Sequence, residues 1–180
     1  MHAILRGQIF LIICFIFYII WWYRGYRPGT SVKRARGANG VLLLLTVGCG
    51  IAGIVFSLSG GAVESPKLQP GTIAIAAVVT YILLVLVTRV LFHRRVTTEL
   101  ILIVAWTALE VQVMNFLNAL GSLSNAEFDI MCVVLGAAFI VSLALYVAYY
   151  RMDEVKAFYA AMVPLATGVA STVLLLLLLF

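Results

Sequence analysis

Charge is what this chain has least of. Of its 180 residues 11% are charged and 64% hydrophobic, against about 25% charged and roughly 45–50% apolar in soluble domains. Such a composition cannot supply an ordinary water-covered surface, which excludes a soluble globular fold. Metal and redox ligands are equally short. There are two histidines and three cysteines, with no CxxC, no HExxH and no His/Cys cluster, so no zinc, haem or disulfide framework can be built from them. Cys14, Cys49 and Cys132 each lie inside an apolar run and read as free thiols packed as small hydrophobes. No phosphate loop, hydrolase elbow or pair of catalytic carboxylates is present, so neither enzymatic activity nor a cofactor is expected.

What the chain has instead is long apolar runs. They fall at about 8–23, 41–58, 72–92, 98–120, 130–149 and 157–180. Continuous runs of this length read as transmembrane helices, because a barrel would need roughly ten-residue alternating strands. The expected fold is all-α: a polytopic integral membrane protein, one bundle of six transmembrane helices spanning 1–180. The first run has no small-residue cleavage site after it and is followed by WWYRGYRP, so it reads as a retained helix ending in an aromatic belt.

The net charge of +5 would suggest nucleic acid in a soluble protein. Here the cations sit in short connections, which argues for orientation in a membrane and against nucleic acid. Connections one, three and five, with the adjoining Arg89, hold Arg24, Arg27, Lys33, Arg34, Arg36, Arg89, Arg94, Arg95, Arg151 and Lys156, leaving only Arg6 and Lys67 for the other side. The positive-inside rule then places both termini outside the cytoplasm, in the plasma (inner) membrane. Arg24, Arg27, Lys33, Arg34 and Arg36 also form a patch suited to anionic lipid headgroups.

Within the runs, small residues mark expected close contacts. The string GCGIAG at 48–53 matches a dinucleotide-binding pattern, but it lacks a preceding strand and reads as a helix face where a neighbour approaches closely. Gly136, Ala137 and Ala138 read the same way. Pro164, with Thr167 and Gly168 after it, suggests a kink in the last helix, and the leucine tract 174–179 reads as lipid-facing. The two halves of the chain have opposite orientation, the layout of inverted-repeat transporters, with a faint likeness of CGIAGIVFSLS to LGAAFIVSLAL.

The exception to all this apolarity is Glu110, near the middle of the fourth run. An ionisable group at membrane depth is a functional-site hypothesis by default. At 100° per residue Ile103, Thr107, Glu110, Val111, Met114 and Asn118 share a stripe with Asn115 at its edge, and that stripe should face protein or trapped water. Folding the chain about 95–96 sets Tyr81 opposite Glu110 with Thr80 beside it. The candidate ion or substrate pathway is therefore Glu110, Thr107, Asn115, Asn118, Tyr81 and Thr80. A carboxyl held dry keeps its proton and ionises when water or a cation reaches it, which suits a small transporter or channel-like protein handling a proton, cation or small polar solute. The alternative is a non-catalytic membrane subunit, assembly or regulatory protein in which Glu110 only bonds a neighbouring helix. Membrane lipids and a homo-oligomer or larger membrane complex are the expected partners.

Overall fold

The computed structural model describes residues 2–26, 36–59, 66–90, 93, 98–149 and 151–178. These form α1 (His2–Tyr26), α2 (Arg36–Ser59), α3 (Pro70–Val90), α4 (Thr98–Ala119), α5 (Asn125–Tyr149) and α6 (Glu154–Leu178), with no strand among the described residues. All six are long and apolar enough to cross a membrane. At roughly 1.5 Å per residue each exceeds the about 30 Å of a hydrocarbon core.

The limits follow local chemistry where apolar counting alone missed it. α5 starts at Asn125, ahead of the expected 130, because Ser124 and Glu127 form a capping box: the Ser124 N–H donates to Glu127 Oε2 (2.8 Å) and the Glu127 N–H to Ser124 Oγ (3.3 Å). α4 ends in a Schellman turn, with the Ser122 N–H on the Leu117 carbonyl (2.9 Å) and the Gly121 N–H on that of Asn118 (3.0 Å). That turn needs a left-handed residue, and Gly121 supplies it at φ 71°. α1 begins at His2 because Ile4 and Gly7 are already buried in the bundle.

α1 and α2 are an antiparallel pair in close register. A Cβ added to Gly53 would lie 2.6 Å from Leu11 Cγ, and one on Gly50 would lie 3.3 Å from Cys14 Sγ. One on Gly7 would strike Ser57 Oγ and sit 2.5 Å from the Ser57 nitrogen. Gly50 and Gly53 thus do what the glycine string predicts, whereas Gly48 and Gly136 have no neighbour within 4 Å of such a Cβ.

α4 is the centre, with 56% of its span buried against 11% for α3. It packs on α2, α3, α5 and α6, and meets α1 where Phe15 and Trp106 lie edge to face, ring centres 4.3 Å apart. One core cluster joins Val113, Met114 and Leu117 of α4 to Met131 and Leu135 of α5, Leu175 of α6 and Ile4 of α1. A second joins Leu100 and Ile103 to Tyr146, with Tyr81, Leu84 and Val85 of α3 against it.

Two expectations change. Leu175, inside the tract read as lipid-facing, is fully buried beside Ile4, while Leu174 and Leu177 are exposed. The halves also pack differently: α2 lies on α1, whereas α5 lies between α4 and α6, so the packing does not repeat from one half to the other.

Candidate functional site

Four helices supply the site, and proximity in sequence does not decide which. α6 runs antiparallel to α1, with Leu175 near Ile4 at one end and Phe158 stacked on Trp22 at the other, ring centres 6.4 Å apart. This brings the second half of α6 against α4. Glu110 is 1% exposed, and its Oε1 accepts a 2.6 Å hydrogen bond from the hydroxyl of Thr172 on α6. Oε2 has no partner among the described residues.

Thr172 can serve either form of that acid. Its oxygen also lies 2.9 Å from the Gly168 carbonyl, which already receives the Ser171 hydroxyl at 2.8 Å. The Thr172 proton is therefore free to turn to a carboxylate. If Glu110 is protonated, the same oxygen accepts from it while Thr172 donates back to Gly168. A hydroxyl, being both donor and acceptor, holds the side chain in both states.

On one side of Glu110 lies a cavity of about 130 Å³ between α1, α4, α5 and α6. It extends from Trp22, Glu99 and Tyr149, at the end of the bundle where Arg24, Arg89, Arg151 and Lys156 also lie, to Thr107, Leu135 and Ser171 in the interior. Glu110 does not line it. Thr107 does, and is one helical turn away, about 4.5 Å along the axis.

On the other side the bundle is closed. Val113, Met114 and Leu117 are completely buried. Beyond them Asn115 clamps the segment before α3: the Leu68 N–H donates to Asn115 Oδ1 (2.9 Å) and Asn115 Nδ2 donates to the Leu68 carbonyl (2.6 Å). Lys67 pairs with Asp129 at 2.8 Å and lies 4.5 Å from the centre of the Phe128 ring. Asn118 Nδ2 donates to the Leu123 carbonyl (2.9 Å) and to Asn125 Oδ1 (3.1 Å), fixing the link to α5.

The residues singled out from the sequence therefore separate. Thr107 lies on the cavity floor one turn from Glu110, which does not line the cavity, and the Thr107 hydroxyl donates to its own helix at the Ile103 carbonyl (2.9 Å). Asn115 and Asn118 belong to the closed end. Tyr81 packs on the Leu100, Ile103 and Tyr146 cluster instead of bonding Glu110, and Thr80 is a half-buried neighbour on α3. The simple fold-back fails because α4 turns a different face to α3 than to α6. Of the basic patch, Arg24 is exposed in the last turn of α1 and Arg36 opens α2; Arg27, Lys33 and Arg34, like Arg94 and Arg95, lie outside the described residues.

Thr172 is the partner that sequence reasoning missed. Its signal was a hydroxyl four residues after Gly168, but the pairing requires the register of two helices not adjacent in the chain. Gln8 and Ser57 form a second buried polar contact, 3.5 Å, between α1 and α2. No group of three or more metal-ligating side chains occurs among the described residues. Comparison with protein-family models, curated proteins and solved structures finds no match to this chain.

Proposed function

We propose that the chain is a small integral membrane carrier in which Glu110 takes up and releases a proton on a path that also serves a cation or small polar solute. In this reading both termini lie outside the cytoplasm of a plasma (inner) membrane, the Lys/Arg-rich end faces in, and Arg24 with its neighbours contacts anionic headgroups.

The observation that carries the reading is the position of Glu110: a buried carboxyl one turn beneath a cavity whose lining runs to the basic end of the bundle, with a dry plug and a hydrogen-bonded clamp on the other side. A carrier in one of its two states needs that asymmetry. Solute entering from the basic end would wet the floor at Thr107 and let Glu110 ionise, with Thr172 turning its proton to the carboxylate. Release on the far side requires the Asn115 clamp on Leu68 to open and the cavity to close. Alternating exposure of a fixed site is the general logic of such proteins.

The test is proton flux in liposomes loaded with a pH-sensitive dye and given an imposed potential. Wild type collapses the gradient faster than empty liposomes, and Glu110→Gln, which keeps size and hydrogen bonding but not the proton, slows that at least tenfold. Equal rates for the two proteins would remove the reading. The second reading is a membrane subunit, favoured by the sparse packing of α3, which is held chiefly by α4. Under it, the exposed face of α3 would meet another membrane helix, from a second copy or a larger complex, and the two flux rates would match.

A further inference from the structure

We infer that the cavity between α1, α4, α5 and α6 binds a small alkylammonium cation. As a substrate class this rests on the carrier reading; as a binding site it stands on the chemistry of the walls.

Those walls offer aromatic faces, one carboxylate and acceptor oxygens; their donors are the indole N–H groups of Trp22 and Trp106 and the hydroxyls of Tyr18, Ser142, Tyr146 and Tyr149, none of them charged. Seven lining side chains are aromatic, among them Trp22, Trp106, Tyr146 and Tyr149. The face of an aromatic ring attracts a cation, tryptophan most strongly. Glu99 is the one charged side chain among the described lining residues; no Lys, Arg or His joins it. The hydroxyls of Thr107, Thr167 and Ser171 each direct their proton to a backbone carbonyl of their own helix, at 2.9, 2.9 and 2.8 Å. What they leave toward the cavity is acceptor oxygen. Pro164 adds to this: it has no N–H to give the carbonyl of Ala160, and both residues line the cavity.

An anion would find one carboxylate and no cation here. A neutral apolar molecule would gain from the rings but leave Glu99 and the carbonyl without a partner. A strongly hydrated metal ion needs a ring of oxygens that apolar walls do not supply. An alkylammonium meets the rings and the carboxylate at once, its apolar substituents against the ring faces and its charge toward Glu99. The cavity volume of about 130 Å³ is near the roughly 150 Å³ that accommodates benzene, so the ligand has on the order of five to eight heavy atoms.

The test uses the full chain in detergent, with radiolabelled choline as the probe and equilibrium dialysis as the readout. Choline binds saturably, and 3,3-dimethyl-1-butanol, its uncharged isostere, competes at least about tenfold more weakly, since the ring faces and Glu99 act on charge. Glu99→Gln, which removes the charge and keeps the shape of the side chain, weakens choline about three- to tenfold without changing thermal unfolding. The inference is overturned if the alcohol competes as well as choline, if Glu99→Gln binds choline like wild type, or if wild type binds none. Binding is read without a gradient, so the two proposals fail separately. Bound choline with Glu110-independent flux removes only the carrier, and absent binding with Glu110-dependent flux removes only the ligand.

Discussion

Replacing Gly7 by alanine should unlock the α1–α2 pair. The new Cβ would strike Ser57 Oγ and lie 2.5 Å from the Ser57 nitrogen and 2.9 Å from the Gly53 carbonyl oxygen. The hydroxyl can rotate away; the two backbone atoms cannot, so the helices must separate. Separation also loosens the contact of Leu11 on Gly53 and the 3.5 Å bond from Gln8 to Ser57. Overpacking of this kind costs about 1–3 kcal/mol, and a clash with backbone belongs at the upper end. Alanine's helix propensity returns up to about 1 kcal/mol, leaving a net loss of about 2 kcal/mol. Gly48→Ala is the control, because nothing lies within 4 Å of its Cβ and only the favourable propensity remains. Loss of helicity on titrating SDS into mixed micelles measures both. Gly7→Ala should unfold at a lower SDS fraction than wild type and Gly48→Ala at an equal or higher one. Coincident curves for the two variants would refute the register.

Two further substitutions probe the polar contacts. Asn115→Leu removes both bonds to the Leu68 backbone, a loss of about 1–3 kcal/mol at roughly 0.5–1.5 kcal/mol per bond; hydrogen exchange at Leu68 should speed up markedly, and unchanged protection would mean the clamp does not hold that segment. Thr172→Val keeps the shape of the side chain and deletes the partner of Glu110, costing about 0.6–1.7 kcal/mol on the scale of interhelical bonds in membranes, while Thr172→Ser retains most of that stability. If the serine and valine variants unfold alike, the hydroxyl contributes nothing.

Much of the architecture was legible because hydrophobic run length is a strong signal when charge is scarce. Six runs gave six helices, whereas burial on α4 does not follow the stripe through Glu110: Thr107, Val111 and Asn118 on it are half-buried, and Gln112, Val113 and Phe116 off it are buried. Helix ends were less legible. The capping box at Ser124 and Glu127 extends α5 into a stretch that run length assigned to a loop. Partners across the bundle were the least legible. Short connections identify neighbours such as α3 and α4, but nothing local shows that α6 crosses the bundle to reach Glu110, or that Asn115 bonds a backbone segment on the way into α3. Leu175 makes the same point: one leucine in a uniform tract is core because of where α6 lies, not because of its sequence context.

The whole account depends on which side Glu110 is approached from. With Cys14, Cys49 and Cys132 replaced by alanine, Thr107→Cys places a thiol on the cavity floor one turn above the carboxyl. A small membrane-impermeant maleimide, applied in turn to the two faces of oriented vesicles, should label it from the Lys/Arg-rich face and leave it unlabelled from the face of Lys67 and Asp129. Labelling from that second face, or from neither, would contradict a one-sided path to Glu110.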